Sequence, residues 1–191
     1  ELEASRQGDI GNARFYNYYT VDPNALTEAA DLLFSLSNGV AIYGGFAGNE
    51  AYLHERDWRI HPTVLNGDIG TVGNNADNVY HVVTAFGVDA TAVLDGFVIM
   101  MGRATGVDAN SRGGGITLDG ASPTLRNLSL LDNRADQGGG IYATGGSPTL
   151  ANLVLSGNTA PNGGGLYNAA GSPALINVTA KRARDAGLPG W

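Results

Sequence analysis

Gly113-Gly114-Gly115-Ile116 returns as Gly138-Gly139-Gly140-Ile141 and again as Gly163-Gly164-Gly165-Leu166, each time 25 residues on. Ser122-Pro123-Thr124-Leu125 keeps the same interval through Ser147-Pro148-Thr149-Leu150 and Ser172-Pro173-Ala174-Leu175, and Asn127, Asn152 and Asn177 follow it. A fixed period of this size marks a stacked repeat, and the residue types decide which kind. Three consecutive glycines, a Ser-Pro pair and apolar runs of two or three leave no room for a 3.6-residue stripe, so the units are strands and turns.

Parity locates the bends. Ile116 and Leu118 alternate with Thr117, as Leu128 and Leu130 do with Ser129, so each pair faces one side of a strand. Leu125 is out of step with Leu128, and alternation must break between them. Asn127, Asn152 and Asn177 stand at that break, where an asparagine tolerates left-handed backbone. Each unit therefore reads as a closed coil of about three short strands with corners at the glycines and the asparagine. Coils pair in parallel roughly 4.8 Å apart. The expected fold is all-β, a parallel β-helix solenoid. Leu125, Leu150 and Leu175 should form one interior column, and Leu128, Leu153 and Val178 another.

The stretches GGGIY…GSPTLANLVLSGN…GGGLYN…GSPALINVT, with NGVAIYGGFAGNE…RDW…HPTVLNGDIGT…DNVYHVVTA…ATAVLDGF upstream, resemble the right-handed parallel β-helix repeat proteins of bacterial surfaces and secretions, adhesin-like or polymorphic-outer-membrane-protein-like. The resemblance covers roughly residues 37–180. It implies a right-handed solenoid and an extracellular or cell-surface setting, and adhesion or envelope roles by analogy.

Composition bounds the alternatives. Glycine is 29 of 191 residues, well above the usual ~7%. The net charge of −7 argues against nucleic acid and against anionic membrane. The absence of cysteine excludes a disulfide scaffold. No apolar run approaches a transmembrane length of ~18 residues. The first residue, Glu1, suggests a processed or truncated form.

The chain divides into one domain with four zones. Residues 1–38 hold an N-terminal cap and first strands. A short polar cap over 1–9 precedes the aromatic run Phe15, Tyr16, Tyr18 and Tyr19. A helix or loop from Asn24 then leads to a strand over 32–36. Residues 39–112 are irregular coils with inserted loops, 113–180 the regular repeats and 181–191 a tail. In the irregular zone Val40, Ile42 and Phe46 turn inward around Gly44-Gly45, and 49–62 is a charged excursion. Strands are expected at Thr63–Leu65, Tyr80–Thr84 and Ala92–Met100, with loops at 66–78 and 102–112.

Candidate chemistry is thin. Asp68, Asn74 and Asp77, with Asn66, Asn75 and Asn78 among glycines, supply the oxygen types of a calcium loop, but the same residues are ordinary turn formers, and a plain turn is the expectation. His54, His61 and His81 lack metal-ligand spacing. Asp95, Asp119 and Asp132 read as outward carboxylates near Arg112 and Arg126. Glycoside hydrolysis needs two carboxylates about 5–9.5 Å apart, and the coil positions after Asp95 carry Arg126 and Ala151. Tyr142 and Tyr167 read as an outward aromatic ladder, either surface packing or a sugar platform. Lys181-Arg182-Ala183-Arg184 is a solvated terminal segment.

Two function classes follow. The expected one is a non-catalytic surface, adhesive or structural protein with no cofactor, a filament subunit if the aromatic start (Phe15, Tyr16, Tyr18, Tyr19) stacks on the apolar tail (Leu188, Pro189, Trp191) of another copy. The alternative is a carbohydrate-binding or polysaccharide-degrading β-helix. Expected partners are further copies, a cell surface or a carbohydrate.

Overall fold

The computed structural model describes residues 34–181 and the backbone of 184–185. The expected cap over 1–9, the run Phe15, Tyr16, Tyr18 and Tyr19, the helix from Asn24, and Leu188, Pro189 and Trp191 lie outside the described residues.

The described chain is all-β. It holds sixteen strands: β1 (Phe34–Ser35), β2 (Ala41–Tyr43), β3 (Thr63–Asn66), β4 (Val83–Phe86), β5 (Val93–Asp95), β6 (Phe97–Met100), β7 (Arg103–Ala104) and β8 (Ile116–Asp119), then β9 (Thr124–Leu131), β10 (Arg134–Ala135), β11 (Ile141–Thr144), β12 (Thr149–Ser156), β13 (Thr159–Ala160), β14 (Leu166–Asn168), β15 (Ala174–Lys181) and β16 (Arg184–Asp185). Its helical content is two single 3₁₀ turns, Leu53–Glu55 and Asp108–Ser111. No helix among the described residues is long and apolar enough to cross a membrane.

The strands form three parallel sheets, none closed on itself. One runs β1-β4-β8-β11-β14, a second β7-β10-β13-β16, and the third β2-β5-β9-β12-β15 with β3 and β6 beside it. From β8 onward each repeat contributes one strand to each sheet in turn. Register follows the sequence period: Ile116 pairs Ile141 and Ile141 pairs Leu166, Leu125 pairs Leu150, and Leu150 pairs Leu175. Identical or closely similar core residues therefore lie side by side. A single side-chain choice is packed the same way two or three times, which is how so short a motif specifies a core.

The bend at asparagine is present. Asn127, Asn152 and Asn177 have φ of 54°, 55° and 52°, each in the middle of an eight-residue strand. Left-handed backbone at that point swings the second half of the strand round, so Leu125 and Leu128 both reach the core despite opposite parity. In the irregular zone Gly96 plays the same part with φ 85° and splits the expected strand 92–100 into β5 and β6. β9 pairs β5 with its first half and β6 with its second.

The core comprises, among others, Leu94, Phe97, Ile99, Ile116, Leu118, Leu125, Leu128, Leu130, Ile141, Leu150, Leu153 and Leu155, all fully buried. Several expectations are corrected. Leu175 shares the interior column's register but is 52% exposed, because β15 is the edge strand of its sheet among the described residues. Val178 is only half buried for the same reason. Tyr80–Val82 are not in a strand, which begins at Val83, and the strand expected over 32–36 is limited to Phe34–Ser35 among the described residues. Ile42 packs on the core, whereas Val40 and Phe46 stand outside the buried cluster.

A second asparagine column runs inside. Asn133 and Asn158 are buried, 25 residues apart like the corner series. The Asn133 side-chain amide donates to the Ile99 carbonyl and to Asn158 Oδ1, both at 3.0 Å, and Asn158 donates to the Leu130 carbonyl at 2.9 Å. Their oxygens accept the backbone N–H groups of Gly102 and Asn133. Each amide thus occupies backbone groups that a sharp corner would leave unpaired in the interior.

Candidate functional site

One outward row of the third sheet carries Asp95, the buried carboxylate of the described residues. In register across β2, β5, β9, β12 and β15 it reads Tyr43, Asp95, Arg126, Ala151, Ile176. Strand parity points Asp95 away from the core, yet it is only 1% exposed. The cover is the segment 44–62 between β2 and β3, which folds back over the row as a strap.

Local chemistry shapes the strap. Glu50 accepts the N–H groups of Ala47, Gly48 and Asn49, and Glu55 those of Ala51 and Tyr52. The Ala47 bond above all holds the Glu50 carboxyl below its ordinary range. Asp57 caps Arg59, and its own N–H reaches the Gly45 carbonyl at 2.9 Å. The three acidic side chains are thus committed to the strap's own backbone.

Arg56 fastens the strap. Its guanidinium donates to the Gly44 carbonyl at 2.8 Å and pairs with Asp95 Oδ2 at 2.7 Å. It lies against the rings of Tyr43 and Trp58, 5.1 and 5.2 Å from their centroids, and Arg59 lies 4.8 Å from that of Trp58. Gly96 makes room, since a Cβ there would stand 2.6 Å from the Arg56 guanidinium. Asp95 Oδ2 also accepts from Arg126 Nε at 2.6 Å and Oδ1 from Asn127 at 2.7 Å. Burial pushes the Asp95 carboxyl up, but hydrogen bonds from Arg56, Asn127 and Arg126 and the Arg56 charge outweigh it, and the net displacement is downward. Asp95 is therefore an ionised anchor with its acceptor sites taken. The ion pairs among the described residues both end on it.

The expected sites fall elsewhere. In the loop 66–78, Asp68 accepts the Gly73 N–H, Asp77 those of Thr71 and the Asn74 amide, and Asn74 Oδ1 that of Ala76. These oxygens organise a turn, and no group of three acidic or histidine side chains among the described residues is placed to hold a metal ion. Tyr142 and Tyr167 stack with centroids 5.8 Å apart and planes 10° from parallel. Tyr142 is not an open platform, however. It is 5% exposed, beneath Tyr167 and the Arg112 guanidinium 5.6 Å from its ring. Asn127, Asn152 and Asn177 form a ladder, with amide-to-oxygen distances of 3.1 and 2.9 Å. His81 is buried, with Nδ1 3.0 Å from the Gly113 carbonyl and 3.2 Å from Thr117 Oγ1.

Comparison with protein-family models, with curated proteins and with solved structures finds no match. Sequence reasoning placed Asp95 and Arg126 in one row but missed Arg56 and Trp58. The signal was a run of alternating charge, Glu55-Arg56-Asp57-Trp58-Arg59, which reads as a solvated excursion until its contacts are seen.

Proposed function

We propose that this chain is a non-catalytic right-handed parallel β-helix of a bacterial surface or secretion, serving as a structural or adhesive wall. The solenoid is supported by the three parallel sheets and by the 25-residue register that holds from β8 onward, which a chain winding repeatedly through the same walls produces. The resemblance of the repeats supports the setting and the handedness. One observation carries the non-catalytic reading. The carboxylate best placed for acid–base chemistry, Asp95, is bonded by Arg56, Arg126 and Asn127, and its row continues with Arg126, Ala151 and Ile176. A hydrolytic pair needs a second carboxylate within about 5–9.5 Å, and this row offers none. Head-to-tail self-association belongs to the same proposal, because β15, the edge strand of its sheet among the described residues, presents the half-exposed Leu175 and Ile176. Incubating the chain with a panel of neutral and acidic polysaccharides, and assaying reducing ends and unsaturated products, should show no turnover. Release of either product would overturn the reading.

A further inference from the structure

We infer that the two ends of the solenoid are halves of one interface, each made to receive a second copy of this chain. The copies stack so that the interior columns run on from one to the next in the register used inside the molecule. The inference rests on the head-to-tail association proposed above and gives it a docking surface and a register.

The columns carry the argument. In the third sheet one interior column reads Ile42, Leu94, Leu125, Leu150, Leu175, and another Leu65, Ile99, Leu130, Leu155, Ala180. The three middle members of each are fully buried, whereas Ile42 and Leu65 are half-buried and Leu175 and Ala180 are exposed. At the β15 end the interior opens as a hollow of about 670 Å³, whose lining includes Leu155, Leu166, Leu175, Val178 and Ala180. Exposed large apolar side chains gather at the same two ends. Ile60 and Val64 are among those of the first coil and its inserts, and Val154, Leu175 and Ile176 stand in the last two coils. Between Asp89 and Ser147 only Val107 joins them.

Complementarity selects the occupant. Laid along β15 in the internal register, β2 and β3 of another copy bring Ile42 to Leu175, Tyr43 to Ile176 and Leu65 to Ala180. Apolar meets apolar in each case, and the bulk of Leu65 falls on the smallest member of its column. β2 and β3 hold no charged residue, and β15 holds only Lys181, which comes to lie beside Asn66. No like charges are therefore opposed across the junction. A slip of one residue would turn these side chains to the wrong face, so the register is specified. A partner of different sequence would have to reproduce both columns, and a second copy already has them. The contact is heterologous and extends into a stack unless its rotation closes a ring. Five rungs per copy at about 4.8 Å each give an axial repeat of about 24 Å.

The test uses the absence of native cysteine. Ala41 and Ala174 begin and end one outward row, Ala41, Val93, Thr124, Thr149, Ala174, and both are exposed, so substituting them opens no cavity. Stacking in register sets them on neighbouring strands of two copies about 4.8 Å apart, within the roughly 4.4–6.8 Å between Cα atoms that a disulfide spans. The full chain carrying Ala41→Cys and Ala174→Cys, oxidised at micromolar concentration, should give a ladder of covalent oligomers on a denaturing gel. Each single variant, and the pair Ala41→Cys with Thr149→Cys one coil away, should run as monomer. Adding Leu175→Asp, which sets a charge against Ile42, should cut the cross-linked yield by about tenfold or more. Ile176→Asp, on the outer face, should act likewise, so a folding defect in one variant leaves the other to decide. Dimers from Ala174→Cys alone would show like ends meeting, and an equal yield from the Thr149→Cys pair would show random collision. A double variant that stays monomeric would show the end covered otherwise, by the chain's own last residues or by nothing. Each of these overturns the inference. A mass that rises with concentration in light scattering without the ladder would overturn the register and leave head-to-tail association standing, and the polysaccharide assay tests the non-catalytic reading independently.

Discussion

Asp95 shows how one residue ties two distant segments together. Its carboxylate is bonded by Arg56 from the strap and by Arg126 and Asn127 from the next strand. Removing one member of a buried pair leaves an uncompensated charge and costs roughly 3–5 kcal/mol. Asp95→Asn should therefore destabilise the chain markedly at pH 7. The sign of the pH effect is fixed by the lowered carboxyl pKa. The stabilisation is present above the unfolded-state value of about 3.9 and is lost as pH falls through the lower folded value. Urea unfolding of both proteins should show their stability gap narrowing below about pH 4, and a gap that widens in acid would refute the assignment. Asn152 makes a different demand. Its φ of 55° disfavours an ordinary side chain, and its amide bonds Asn127 and Asn177. Asn152→Gly loses only the bonds, about 1 kcal/mol. Asn152→Ala adds roughly 1–2 kcal/mol of left-handed strain, so alanine should be the worse substitution in denaturant melts.

At the scale of elements, the bend of β9, β12 and β15 was legible because Leu125 and Leu128 disagree in parity and an asparagine sits between them. The repeat period fixed which strands pair and in what register. What the sequence hid was contact between non-repeating parts. Nothing in residues 49–62 says that Arg56 returns to Asp95, since an ion pair between residues 56 and 95 leaves no periodic trace. The burial of Tyr142 was hidden likewise, because the position that covers it is an arginine only at 112 and becomes Gln137 and Asn162 in the later repeats. The buried pair Asn133 and Asn158 did keep the 25-residue interval, and that signal was there to be read. Position within the sheet sets what a leucine is worth. Leu150 is fully buried between Leu125 and Leu175, so Leu150→Ala should cost toward the upper part of ~2–5 kcal/mol. Leu175→Ala, at a half-exposed edge position, should cost about 1 kcal/mol or less. Equal effects in chemical denaturation would contradict this packing.

For the whole molecule, the proposed end-to-end association has a direct readout. Leu175 and Ile176 lie half-exposed on β15, the edge strand of its sheet among the described residues. A head-to-tail contact of this kind is heterologous and builds a filament unless its rotation closes a ring. Light scattering at micromolar concentration should show a mean mass rising with protein concentration. A concentration-independent monomer would end the filament proposal.

The pairing of like with like, Leu125 to Leu150 to Leu175, has an evolutionary corollary. Because neighbouring repeats meet through the same interior columns, a gene can lengthen by duplicating one unit without inventing a new core. Growth is then quantised: each 25-residue insertion between Gly138 and Asn162 adds about 4.8 Å of wall. Any other insertion length throws the glycines and asparagines off their corners. Four tandem copies of residues 138–162 should fold and lengthen the particle by about 20 Å in X-ray scattering, whereas insertions of 23 residues should not fold. Such a wall is a ruler whose graduations are copied, and the strap at its far end keeps its contacts whatever the length.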